Sequence, residues 1–78
     1  MNRLKQIRLK MNLTQEQMAD MMTSDKIRIT DGAIASIELN RNNPSYNFMK
    51  AFKRTFPEYK IEDVFFYDVW GLIWELKK

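Results

Sequence analysis

The chain has 78 residues and a formal net charge of +3, and it contains neither Cys nor His. A chain this short forms one small domain with a modest core. The missing residue types exclude a disulfide framework, thiolate and imidazole metal sites, a thiol nucleophile and the usual base near neutral pH.

The first ten residues, MNRLKQIRLK, are basic, but no apolar run follows them, so they do not read as a secretory signal. No apolar stretch reaches the roughly 18 residues of a membrane span. Six Met against two Gly and two Pro point to a mostly helical chain. The first helix is expected over residues 2–11, with Leu4, Ile7 and Met11 on one face. Arg3, Lys5, Arg8 and Lys10 fall on the other faces. They are either solvated cations, or one or two of them approach a phosphate backbone.

Thr14-Gln15-Glu16-Gln17 has the form of a capping box and opens the second helix, which runs to residue 22. Leu13 against Met18 would complete a hydrophobic staple. Met18, Ala19 and Met22 point inward, and Met21 is grouped with the two other Met residues as core filler. From residue 23 to 29 the helical pattern stops. Ser24 and Asp25 are turn formers. Lys26 and Arg28 alternate with Ile27 and Ile29, so the segment is locally extended, with Ile29 plugging the core. Thr30 or Asp31 caps a third helix over residues 31–39. Ile34 and Ile37 are its buried stripe. Gly32, Ala33, Ala35 and Ser36 leave its exposed face small, as entry into a groove requires. Asn40 tolerates the left-handed conformation that ends a helix, and Pro44 blocks continuation.

Ser45 caps a fourth helix over residues 46–55, with Phe48, Ala51, Phe52 and either Thr55 or Phe56 facing the core. Pro57 closes it. A fifth short helix covers residues 61–66, with Ile61, Val64 and Phe65 inward. Beyond it, Val69, Leu72, Ile73 and Leu76 form one stripe and Phe66, Trp70 and Trp74 another. Gly71 would weaken a helix there by about 1 kcal/mol relative to Ala. A small core has no room for all these side chains. Some must meet another chain or lie in an exposed patch. Residues 1–66 are therefore expected to be the domain, and residues 67–78 a short apolar helix or tail that serves, with Phe66, as a dimerisation element.

Residues 13–45 thus lay out two short helices, a turn between them and a stop signal, the plan of a DNA-binding helix-turn-helix. Its motifs LTQEQMA, ITDGAIASIE and LNRNNPS resemble those of the phage repressor and Cro type of helix-turn-helix domain, the xenobiotic-response-element family. Members of that family typically read LTQEELA, then an I-S pattern ending in I-E, then NGKRNPS. The resemblance covers about residues 3–66. It implies an all-α, lambda-repressor-like fold of five short helices with the third presented to the major groove. It also implies a sequence-specific transcriptional regulator, Cro-like or a repressor of a phage or mobile element, acting by operator occlusion in the cytoplasm of a bacterial host. The partner would be a double-stranded DNA operator, bound by a homodimer. No cofactor, metal, membrane or small-molecule substrate is expected, and no enzymatic activity.

By the same resemblance Gln15 clamps a phosphate or supports the base-reading residues. Asn40, Arg41, Asn42 and Asn43 form the loop that meets phosphate through backbone N–H groups and side chains. Arg8 and Glu38 form a partly buried ion pair joining the first and third helices. The base-reading positions hold Thr30, Asp31, Gly32, Ala33 and Ser36, none of which can pair a base edge bidentately as Arg, Lys, Asn or Gln do. Thr30 is an N-cap, a base contact or both. Ala33 can touch a thymine methyl. Asp31 can accept from a cytosine amine, but it faces phosphate repulsion and equally suits the helix dipole. The turn after the second helix departs from the family. It is about five residues longer and has no Gly, so it either changes the angle of the third helix or adds the cations Lys26 and Arg28 beside DNA. A rival reading keeps the fold but makes the chain an antitoxin or anti-repressor, a protein-interaction module whose tail binds a partner.

Overall fold

A computed structural model describes residues 2–66. They form five α-helices in chain order: α1 (Leu4–Lys10), α2 (Gln15–Met22), α3 (Asp31–Glu38), α4 (Tyr46–Thr55) and α5 (Ile61–Phe65). No strand occurs among the described residues. The segment from Val69 to Leu76, with its expected dimer surface, lies outside them.

Local chemistry sets each boundary. Thr14 and Gln17 close the capping box in both directions: the Gln17 N–H donates to Thr14 Oγ1 at 3.0 Å and the Thr14 N–H donates to Gln17 Oε1 at 2.9 Å. Thr30 and Ser45 cap α3 and α4, accepting from the N–H groups of Ala33 and Phe48. The helix α3 ends as a Schellman motif. Asn40 turns left-handed at φ 58°, its N–H donates to the Ile37 carbonyl, and the Arg41 N–H reaches back to Ser36. The same motif ends α1, with Asn12 at φ 59° and the Leu13 N–H on the Arg8 carbonyl.

The apolar stripes then meet. The helix α2 packs against α3 and α4, and α1 packs against α3. Leu4, Met18, Met22, Ile34, Phe52 and Val64 are the largest side chains sealed from solvent. Phe52 anchors an aromatic cluster, with ring centroids 5.2 Å from Phe56 and 5.3 Å from Phe65. Ile29, from the segment between α2 and α3, enters the core as expected. No buried side-chain nitrogen or oxygen among the described residues lacks a partner.

Four details differ from expectation. The helix α1 starts at Leu4 rather than residue 2, because the Asn2 side-chain oxygen accepts the Leu4 N–H and the Arg3 N–H bonds to the Val64 carbonyl on α5. Met21 is half exposed instead of filling the core, since it lies off the stripe that carries Met18, Ala19 and Met22. Ile61 is only half-buried at the start of α5. The small face of α3 is narrower than expected: Asp31 and Gly32 are exposed, while Ala33, Ala35 and Ser36 are half-buried.

Candidate nucleic-acid interface

The start of α2 and the end of α3 are joined by one carboxylate. Arg8 on α1 grips Glu38 at the end of α3 with two bonds, Nε to Oε2 at 2.7 Å and Nη2 to Oε1 at 3.2 Å. Gln15, the first residue of α2, donates its side-chain amide to the same Oε1 at 3.1 Å. Arg8 Nη1 also donates to the Leu13 carbonyl at 2.9 Å, just ahead of α2. Three elements are thus locked by a bidentate, charge-assisted pair. The side chains of Arg8 and Glu38 are 10 % and 3 % exposed. Asn2, which no motif singles out, adds a bond from its amide to the Ile37 carbonyl at 2.7 Å. Gln15 therefore braces α2 against α3 through this carboxylate.

The long segment between α2 and α3 is a built turn. Thr23 Oγ1 accepts the Ile29 N–H at 3.0 Å and lies within bonding distance of the Ala19 and Ile29 carbonyls. The Ser24 N–H donates to the Ile27 carbonyl at 2.7 Å. Ile27 packs half-buried against the core and Ile29 lies in it. The alternation read from the sequence is thus realised: the isoleucines hold the segment down, and Lys26 and Arg28 are exposed.

Two grooves flank the N-terminal end of α3. One lies between α2 and the turn, lined by Glu16, Asp20, Asp25, Arg28, Thr30 and Asp31 among others. Its four carboxylates outnumber its single cation, so it repels phosphate. They do not converge into a group able to hold a metal among the described residues. The other groove lies between the turn, α3 and the start of α4, lined by Arg28, Ala33, Asn42, Asn43, Ser45 and Asn47 among others. No carboxylate lines it, and its amides can meet an anion. Phosphate is therefore tolerated on the α4 side of α3 and disfavoured on the α2 side.

The structure thus brings Arg28, Ala33, Asn42 and Asn43 to one groove and Arg28, Thr30 and Asp31 to the other. Gly32 is exposed on the face between the caps of α3. Asn40 and Arg41 are exposed at its far end, and Lys26 is exposed outside both grooves. Ser36 is half-buried, and its carbonyl is taken by the Arg41 N–H at 2.9 Å. Asn47 was not among the expected residues. Its place in the first turn of the helix after the loop is the signal that would have found it.

Gly32 is informative because the fold does not need it. It has no positive φ, and an added Cβ would meet only the Thr30 hydroxyl oxygen, at 3.9 Å. The fold therefore does not require glycine at this exposed position. Among the described residues no helix is long and apolar enough to cross a membrane.

A family model described as "Helix-turn-helix" matches residues 4–64. Comparison with curated proteins and with solved structures finds no match.

Proposed function

Since the chain belongs to the helix-turn-helix family of the Cro and repressor type, a family of DNA-binding transcription regulators, we propose that it is a repressor of phage or mobile-element kind. It binds a double-stranded operator, acts in the bacterial cytoplasm and blocks polymerase by occupying the site. The N-terminal half of α3 enters the major groove, and the loop from Asn40 to Asn43 grips the flanking phosphates through amides and Arg41. Gly32 carries this reading: it is an exposed glycine on α3 that the interior does not require. The reading is a binding function and assigns no catalytic residue.

Two copies read half-sites about one helical turn apart. Phe66, which is 40 % exposed at the end of α5, and the apolar residues Val69, Trp70, Leu72, Ile73, Trp74 and Leu76 supply the contact between copies.

Selection from random duplexes with purified protein, followed by salt-titrated binding to the selected site, tests the proposal. The expected result is a defined consensus, with log K falling linearly and steeply as log salt rises. A shallow slope with no preference over random DNA would favour the protein-interaction rival instead.

A further inference from the structure

Resting on that DNA-binding reading, we infer that Arg28, rather than any side chain of α3, makes the bidentate guanine contact that sets sequence preference. The exposed and half-exposed positions of α3 supply no fork. Asp31 is an acceptor, Gly32 and Ala33 have no polar side-chain group, and Ser36 has one hydroxyl. Thr30 already uses its oxygen to accept the Ala33 N–H at 3.1 Å. A guanidinium offers two donors held in a plane, which match O6 and N7 of a guanine.

Arg28 stands two residues before the Thr30 cap and lines both grooves beside the N-terminal end of α3. That end is where a recognition helix meets base edges. The Arg28 side chain is exposed and makes no hydrogen bond or ion pair among the described residues. Its backbone is held on both sides by Ile27 and Ile29 and by the Thr23 clamp. A free guanidinium on a fixed base loses little freedom when it binds. Its surroundings argue against a phosphate seat on the α2 side. Glu16, Asp20, Asp25 and Asp31 line the groove that it overhangs, and they repel phosphate while tolerating an uncharged base edge. Lys26 lines neither groove, so it does not reach the N-terminal end of α3 as Arg28 does.

The test repeats the site selection with the full chain and its Arg28→Lys and Arg28→Ala variants. Binding is then measured on the wild-type consensus and on the same duplex with its guanine replaced. The wild type is expected to prefer guanine at one position of each half-site by about ten- to a hundredfold. Arg28→Ala loses that preference and keeps the other consensus positions, while Arg28→Lys keeps the wild-type salt slope. Thermal melts of both variants match the wild type, because the side chain is exposed and unpartnered. Full guanine preference in Arg28→Ala would overturn the inference. So would a consensus that neither variant changes, with DNA binding itself left standing. A wild-type chain that selects no sequence would overturn both readings together.

Discussion

Replacing Glu38 by Ala removes the carboxylate on which α1, α2 and α3 converge. Three hydrogen bonds disappear, two from Arg8 and one from Gln15. Arg8 keeps only the Leu13 carbonyl. Its guanidinium stays in a site that is 10 % exposed, so solvent compensates it poorly and the discount applied to surface pairs does not hold. Breaking a buried pair from one side costs about 3–5 kcal/mol. A small domain has about 5–15 kcal/mol in total and loses about 4–8 °C of Tm per kcal/mol. Glu38→Ala should therefore melt at least about 12 °C below the wild type and lose operator affinity only as a consequence. Urea unfolding followed by circular dichroism gives the free energy, with an unchanged slope confirming that both chains unfold to the same extent. The paired replacement Arg8→Met with Glu38→Leu should recover most of the loss, since no charge is then left stranded. A loss below about 1 kcal/mol in Glu38→Ala would refute the reasoning. So would a paired variant as weak as the two single changes added together.

Three further outcomes follow from other parts of the molecule. Asn12→Ala should cost about 1 kcal/mol, because it places a Cβ without a local polar partner at φ 59°, whereas Asn12→Gly should match or exceed wild-type stability in the same urea titration. Arg41→Ala should leave the melt unchanged, since the side chain is exposed. In anisotropy titrations it should weaken binding equally on all sequences and reduce the magnitude of the salt slope by about one. A chain lacking residues 68–78 should remain folded, lose self-association in sedimentation experiments and bind its operator more weakly; undiminished self-association would put the dimer contact elsewhere.

Much of the fold was legible because its signals are local. Thr14 with Gln17, Thr30, Ser45, Asn40 and Pro44 each fix a helix end within a few residues of themselves. The spacing of Leu4 and Ile7, of Ile34 and Ile37, and of Phe48 and Phe52 fixes which side of each helix is buried. What the sequence did not reveal depends on chain contacts distant in order. The role of Asn2 rests on the Ile37 carbonyl, 35 residues away. The bond from Arg54 to the Met22 carbonyl at 2.7 Å spans 32 residues and ties α4 to the end of α2. No periodicity encodes either contact. The interface was legible as a stretch of chain but not as a surface. Gly32, Ala33 and Ser36 could be placed on one side of a helix from spacing alone. The two grooves, one acidic and one lined by amides, arise only when the turn, α2 and α4 come together around α3. Met21 shows the limit of composition: three Met residues in five positions read as core, yet only the two on the stripe are buried.

Whether the exposed side of α3 enters duplex DNA is decided by the Gly32→Glu variant. The site has room for a side chain and no positive φ, so the domain should melt at or above the wild-type temperature. In the bound state the new carboxylate would stand against base edges and phosphates. Like charges brought together cost several kcal/mol, so affinity for the selected operator should fall more than about a hundredfold. Wild-type affinity in a folded Gly32→Glu chain would place the DNA contact elsewhere and contradict the account.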